Sequence, residues 1–287
     1  MNRAHTSVRL RWLGVAGIEL TAHDRVLAID PFFTRPPFWR MAIGRVRPDR
    51  ALIARHVPRC DWILVTHAHW DHLMDVPDLA RRTAATVWGS PNACALLAAC
   101  GLPQAQIRPI HGGERLVLGD WTVDVLPGEH MRAPGFAPGP LPANLRPPLR
   151  LRDYRMDLCF SFSLQIGRLR LLDWHSNRLD WAVPADVLFV GPGEPSAYHR
   201  QLLRAVRPRL VIPVHWDDLF QPLSRPTRPV LAPPRWAWPP VRHMDLPRFR
   251  QEVEQMARDQ GMPETEVWIP ELFRPYDLAA TAREPAG

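Results

Sequence analysis

The sequence predicts a mixed α/β (α+β) fold in which helices cover the sheets. Short apolar runs bounded by Gly, Pro and Asp indicate strands, and helix-like patterns with start and stop signals separate the later runs. Hydrophobic residues make up 46% of the 287 residues, which is ample for a sizeable core. Because the early strands follow one another as hairpins and the later strands alternate with helices, we expect mixed sheets.

The predicted elements follow in a clear order along the chain. The strand-like runs are VRLRWLGVAGIEL, RVLAIDPFF, WILVTH, ATVWGS, ERLVLGDWTVDVLP, CFSFSLQIGRLRLLDW, DVLFVGPG and RLVIPVHW. The helix-like patterns are DLARRT, PNACALLAACG, SAYHRQLLRAV with Ser196 as N-cap, and PRFRQEVEQMARDQG ending at Gly261. We assign residues 1–222 to the main domain, and residues 223–287, which begin Pro- and Trp-rich, to a C-terminal extension packed on it.

The basic charge is scattered rather than clustered. All 36 basic residues are arginine, and the formal net charge is +7. Without a block of cations, the sequence argues against a nucleic-acid partner. We find no stretch of ~18 apolar residues and no apolar leader, so we expect a cytoplasmic protein with no membrane partner. The arginine-only usage indicates the coding bias of a GC-rich bacterium.

The four cysteines are widely spaced in apolar surroundings. This pattern is typical of reduced, buried thiols, and it argues against both a disulfide framework and a thiolate zinc site. The cysteines are Cys60, Cys94, Cys100 and Cys159.

Four metal-capable side chains lie directly after an apolar strand in residues 62–76, WILVTHAHWDHLMDV. On an extended backbone His67 and His69, two positions apart, point the same way. Asp71 and His72 lie in the turn into a helix that we expect to begin near Leu73, where they can face a second ion. Since imidazole and carboxylate are ligands of zinc, the motif predicts a metal centre.

This His-x-His-x-Asp-His pattern resembles the signature of the metallo-β-lactamase superfamily of metal-dependent hydrolases. The likeness extends over roughly residues 8 to 220, in order and spacing. It is nearer to the compact branch that includes ascorbate-6-phosphate lactonase-like proteins than to true β-lactamases. The resemblance implies a four-layer αβ/βα sandwich with the site along one edge.

The resemblance also implies the ligand sets. His67, His69 and His130 would hold one ion, while Asp71, His72 and His215 would hold the other, with Asp71 also the candidate catalytic carboxylate. The family's bridging aspartate lies in a Gly-Asp turn, which is LLDWHSN here. For that role we predict Asp173, with His175 as its substitute.

Other residues are predicted to support or line the site. They are Asp30, Trp70, Glu194 and Asp217. Many relatives carry a histidine after the glycine where this chain has Val15. His111 is interpreted as a loop histidine. Residues 131–155, rich in Pro and Gly, are predicted to form a loop that covers the site opening.

The resemblance predicts a metal-dependent hydrolase that uses a metal-activated water on a small-molecule substrate. We expect two divalent ions, with zinc favoured over manganese or iron, and an anionic lactone or phosphoester as substrate. The altered bridging turn leaves a non-catalytic binding protein of the same fold as the alternative. A nuclease of the superfamily is disfavoured because no basic groove is evident.

Overall fold

Two seven-stranded β-sheets form the centre of the structure, a computed structural model that describes residues 7–41, 44–130, 138–230 and 244–278. The strands are β1 (Arg9–Gly14), β2 (Gly17–Ala22), β3 (Arg25–Ile29), β4 (Trp62–Leu64), β5 (Thr86–Gly89), β6 (Ile107–Pro109), β7 (Arg115–Leu118), β8 (Trp121–Gly128), β9 (Cys159–Ile166), β10 (Leu169–Trp174), β11 (Val187–Val190), β12 (Leu210–Pro213), β13 (Glu266–Val267) and β14 (Pro275–Asp277).

Each sheet has an antiparallel part and a parallel part. The first sheet has the order β14-β1-β2-β3-β4-β5-β6, antiparallel from β14 to β3 and parallel from β3 to β6. The second has the order β13-β12-β11-β10-β9-β8-β7, parallel from β13 to β10 and antiparallel from β10 to β7. The predicted hairpins lie in the antiparallel parts, to which the distant pair β14-β1 also belongs. Most parallel neighbours are separated along the chain by a helix, whereas β10 and β11 are joined without one.

Six α-helices are described. They are α1 (Arg50–His56), α2 (Trp70–Leu73), α3 (Val76–Thr83), α4 (Pro91–Ala99), α5 (Ser196–Val206) and α6 (Leu246–Asp259). Their starts follow the sequence signals: the Ser90 hydroxyl accepts from Ala93 N at the start of α4, and the Asp245 carboxylate accepts from Arg248 N at the start of α6. In both helices a proline follows in the first turn, where its missing N–H costs nothing.

Three layers of buried side chains separate four layers of backbone. Trp12, Trp121 and Phe162 belong to the core between the sheets. Ile53 of α1 and Leu96 of α4 belong to a second core on the outer face of the first sheet, while α5 and α6 enclose a third core against the second sheet. This arrangement confirms the predicted αβ/βα sandwich.

Successive side chains of a strand point to opposite faces of the sheet, and this alternation decides which of them reach the site. On β10, Leu171 lies in the core between the sheets, whereas Leu172 and Trp174 lie in the helix-covered core. Asp173 therefore shares the inner face with Leu171, at the end of its strand. The residues that follow β4, β8 and β12 are brought to the same edge, which is where the predicted ligands lie.

Several local predictions differ from the structure. The helix expected near Leu73 begins at Trp70, because the His69 carbonyl already accepts from His72 N and Leu73 N. Pro195 takes the N-cap position of α5, and Ser196 is instead its first residue, with its hydroxyl donating to Glu252.

The loop predicted at residues 131–155 is described from residue 138 onwards, and residues 131–137 lie outside the described residues. The Asn92 side chain donates to the carbonyls of Gly139 and Arg155 at 3.0 and 2.9 Å. Val46 N donates to Leu149 O at 3.1 Å. The described part is thus anchored to α4 and to the segment before α1, and its role as a cover for the site stays a prediction.

The C-terminal part of the chain contributes to both sheets. Strand β13 pairs in parallel with β12, and β14 pairs antiparallel with β1. Residues after 222 therefore supply one outer strand to each sheet as well as α6. Among the described residues, no helix combines the length and the apolar character needed to cross a membrane.

Candidate metal centre

The metal-capable motif lies where β4 gives way to α2. His69 is the N-cap of α2 in an extended conformation, with φ −74° and ψ 156°. The backbone is thus extended at His69 and helical from Trp70, so the side chains before and after this point leave it in different directions. This change of conformation separates His67 and His69 from Asp71 and His72.

The first group comprises His67, His69 and His130, each with a ligand atom within 4.8 Å of the others. Their ring centroids lie 4.5 to 4.9 Å apart. His67 and His69 are buried, whereas His130, just after β8, is partly exposed. We call these three residues the first triad.

The second group comprises Asp71, His72 and His215, also within 4.8 Å of one another. Asp71 Oδ2 lies 3.2 Å from His215 Nε2 and 3.6 Å from His72 Nε2. Ligands bound at ~2.1 Å in tetrahedral geometry lie roughly 3.4 Å apart, so this spacing fits a shared ion. We call these residues the second triad; it adjoins the first, since the His67 and His72 rings are 3.9 Å apart.

Orphaned polar atoms test whether the triads suit metal ions. His67 Nε2 and both carboxylate oxygens of Asp71 are buried and make no hydrogen bond of acceptable geometry. Asp71 Oδ2 lies 3.2 Å from His215 Nε2 without forming a hydrogen bond. Burying such atoms is costly unless something compensates them, and a divalent cation would do so. The donor set of imidazoles and one carboxylate therefore fits a metal such as zinc.

Asp30 and Thr66 orient two of the ligands. His72 Nδ1 lies 2.6 Å from Asp30 Oδ2, and Thr66 N donates to Asp30 Oδ1 at 2.8 Å. The Thr66 hydroxyl contacts Asp30 and lies 2.9 Å from His67 Nδ1. Because these partners occupy the Nδ1 atoms, the Nε2 atoms face the ligand cluster.

The pKa values differ between the triads. Burial lowers the pKa of His67 well below its ordinary value and that of His69 to about 3, so both imidazoles are neutral at pH 7. Burial would raise the pKa of Asp71, but the neighbouring His72, His215 and His69 lower it below its ordinary value. Asp71 is thus ionised, which favours a ligand role over donation of a proton.

Comparison with known proteins gives the family. The family model described as "Beta-lactamase superfamily domain" matches residues 25–164 of the sequence. A UPF0173 metal-dependent hydrolase from Pyrobaculum arsenaticum is 30% identical over 220 residues, covering 76% of this chain and 87% of the relative. The chain belongs to this metal-dependent hydrolase family of the β-lactamase superfamily. The sequence-based prediction of superfamily and enzyme class is thereby confirmed.

Other similar proteins agree. A UPF0173 metal-dependent hydrolase from Carboxydothermus hydrogenoformans is 27% identical over 221 residues, covering 73% of this chain and 85% of the relative. A metallo hydrolase structure from the archaeon Ignicoccus hospitalis has a TM-score of 0.61 at 17% identity, covering 94% of this chain and 98% of that chain. An isothiocyanate hydrolase from Delia radicum gut bacteria has a TM-score of 0.56 at 13% identity, covering 94% and 99%. These structural likenesses show the fold.

In this hydrolase the predicted bridging residues pair with each other. Asp173 Oδ1 lies 3.0 Å from His175 Nε2, and Asp173 Oδ2 is buried without a hydrogen-bond partner. The His175 ring lies 5.9 Å from that of His72, so the pair is next to the second triad without belonging to it. Burial would lower the pKa of His175, but the Asp173 carboxylate raises it.

The remaining predicted residues occupy different positions in the hydrolase. Trp70 is buried between Phe32 and Phe220, with ring centroids 5.5 and 5.8 Å away, so it packs behind the motif. Glu194 lies in the loop before α5, where burial raises its pKa. His111 is exposed in a loop and belongs to neither triad.

Asp217 belongs to a buried chain of contacts that ends at His215. Its Oδ1 accepts from Val15 N at 2.7 Å, and its Oδ2 accepts from Arg35 at 2.9 Å. Val15 O in turn accepts from His215 N at 2.7 Å. His215 has a φ of 57° and Val15 a φ of 50°, a left-handed conformation that non-glycine residues adopt only when held there. We call Arg35, Asp217 and Val15 the His215 support.

Thr66 and Arg35 were not singled out from the sequence. Thr66 directly precedes His67, so its position in the motif was a usable signal. Arg35 contacts Asp217 across 182 positions, and no local pattern marks that pairing.

Proposed function

We propose that the two triads hold two divalent ions, with zinc favoured, and that the enzyme hydrolyses a small anionic ester-type substrate, a lactone or a phosphoester. The observation that carries the proposal is the pair of adjacent triads with orphaned buried ligand atoms. When bound, two such ions lower the pKa of a coordinated water and stabilise negative charge on the attacked group.

The chain's own residues prepare this chemistry. Asp30 and Thr66 fix the orientation of His72 and His67, which reduces the reorganisation needed when ions bind. His130 is partly exposed, and the His215 side chain is 32% exposed, whereas the other four ligands are buried. The triads therefore open toward solvent on the side of His130 and His215, where a substrate would approach.

Charge favours an anionic substrate. Asp30, Asp71 and Asp173 are buried carboxylates within or beside the triads, while the charge of the nearby Asp217 is balanced by Arg35. Even with all three ionised, two divalent ions would leave the site with net positive charge. Such a site attracts an anion and stabilises the negative charge that develops during attack on an ester or phosphoester.

The test combines metal analysis with a substrate panel. Purified protein should contain two metal equivalents per chain, with zinc the main element, and should turn over a member of a lactone, phosphodiester and thioester panel. His67→Ala combined with His69→Ala should remove one equivalent and the turnover. The matched control is His111→Ala, which changes an exposed loop histidine and should alter neither.

Three outcomes separate the alternatives. Unchanged metal content in the double variant would refute the ligand assignment. Two equivalents without turnover of any panel member would favour a non-catalytic binding protein. Turnover restricted to the thioester would refute the proposed substrate class while leaving the metal centre intact.

A further inference from the structure

A cavity of about 1070 Å³ lies on the helix-covered side of the first sheet. Its walls come from the segment after β3, the start of α1, α3, residues 147–154 and residues 222–224. None of the six triad residues lines it. Six arginines do: Arg35, Arg40, Arg45, Arg47, Arg50 and Arg81.

The acidic residues that line this cavity already form ion pairs or hydrogen bonds within the protein. Asp78 pairs with Arg50 at 3.2 Å and with Arg81 at 2.7 Å. The Asp49 carboxylate accepts from Leu52 N at 3.0 Å, where it caps α1. The carboxylates on the wall are thus fewer than the guanidinium groups around them.

Three of the arginines have no carboxylate partner among the described residues. Arg40 lies over the Trp39 ring, 5.1 Å from its centroid. Arg45 donates to the carbonyls of Arg146 and Pro148. Arg47 is exposed at the cavity edge. The cavity therefore carries uncompensated positive charge.

The cavity wall is built from ordered backbone and apolar side chains. Thr34 links its parts, because its N–H donates to Asp75 at 2.7 Å and its hydroxyl accepts from Asp49 N at 2.7 Å. Phe33 and Tyr154 are buried in the wall. A preformed site of this volume accommodates a small organic molecule.

We propose that this cavity binds an organic phosphate with at least two negative charges, at a site separate from the metal centre. Guanidinium groups match phosphate oxygens in bidentate geometry, and Arg40, Arg45 and Arg47 are the groups without a carboxylate. The buried aromatic and apolar wall suits the organic body of the ligand. The proposal is independent of the hydrolytic function.

Inorganic pyrophosphate serves as the probe, titrated calorimetrically into the metal-loaded protein and into protein stripped of metal by dialysis. One equivalent should bind saturably to the metal-stripped protein, and the same equivalent should bind to the metal-loaded protein, where any additional equivalent is assigned to the metal centre. Arg40→Ala combined with Arg47→Ala should weaken this binding at least about tenfold, because two charge-assisted contacts are lost. The matched control is Arg168→Ala combined with Arg204→Ala, which removes the same charge from exposed positions away from the cavity.

The comparison of metal-loaded with metal-stripped protein, and of the two double variants, distinguishes the possible sources of pyrophosphate binding. Binding that disappears on metal removal would place the anion at the metal centre and overturn the proposal. If pyrophosphate binding is weakened equally in the two double variants, the effect is one of net charge alone and the proposal is overturned. The absence of saturable pyrophosphate binding would overturn it as well. Metal content and hydrolysis, measured in parallel, should be unchanged in both double variants, so failure here is distinguishable from failure of the proposed function.

Discussion

The Arg35–Asp217 ion pair supports His215 from within the protein, and Asp217→Asn tests how much that support is worth. The two side chains are only 2% and 3% exposed, and their charged atoms are 2.9 Å apart. Asparagine preserves shape and can still accept from Val15 N. It removes the negative charge and leaves the Arg35 guanidinium buried without its counterion.

Breaking a buried pair in this way costs about 3 to 5 kcal/mol, and we take the lower figure because Arg35 still donates to Asp218 O at 2.9 Å. With an m-value of ~3 kcal/mol/M, a loss of about 3 kcal/mol lowers the urea midpoint by about 1 M. We expect the unpaired Arg35 guanidinium to displace the side chain at position 217 and with it Val15, whose carbonyl accepts from His215 N, so the second ion should bind roughly 10- to 100-fold more weakly.

The assay is urea unfolding together with metal content under chelator challenge. Asp218→Asn is the matched control: its carboxylate pairs with Arg228, whose side chain is 52% exposed, so the loss should be at most about 1 kcal/mol. If both variants unfold at the same urea concentration, or if Asp217→Asn loses the ion of the first triad before that of the second, the reasoning is refuted.

Two further predictions concern the Asp173–His175 pair and the cysteine thiols, of which Cys60 and Cys159 are buried and Cys94 and Cys100 partly exposed. The Asp173→Ala variant and the His175→Ala variant should each release the ion of the second triad to a chelator faster than the wild type does, because the pair lies beside His72. If both variants keep both ions and full activity, neither residue is a metal ligand. Burial raises the pKa of Cys60 to about 12 and those of Cys94 and Cys100 to about 11. At pH 8 a thiol of pKa 11 is only about one part in a thousand thiolate, so native protein should react slowly with a disulfide reagent, whereas unfolded protein should show four reactive thiols. Rapid labelling of native protein at pH 8 would contradict this.

Local signals predicted much of the site. Four of the ligands lie within six positions, namely His67, His69, Asp71 and His72. The expected change to a helix within this stretch was enough to predict that two of them face one ion and two face another. His130 and His215 came from the resemblance to the family, which placed them after the correct strands. The order of strands and helices predicted mixed sheets covered by helices, and the resemblance to the family implied their arrangement as a sandwich.

The unpredicted parts depend on contacts between distant positions. Arg35 and Val15 meet Asp217 across 182 and 202 positions, which no periodicity reveals. Strands β13 and β14 have two and three residues, too few to show an alternating pattern. The cavity arginines come from separate segments, and scattered in the sequence they indicated only a solvated surface.

The pairing of β14 with β1 has a consequence for biosynthesis. Ser7, next to β1, donates to Asp277 in β14, and the two residues are 270 positions apart. Strand β1 therefore leaves the ribosome well before its outer neighbour, which lies about 270 positions later in the chain. Until then the free edge of β1 can pair with a strand of another nascent chain. The first sheet is therefore completed only after β14 has been made, and a chain that stops before residue 275 would leave this edge open to aggregation.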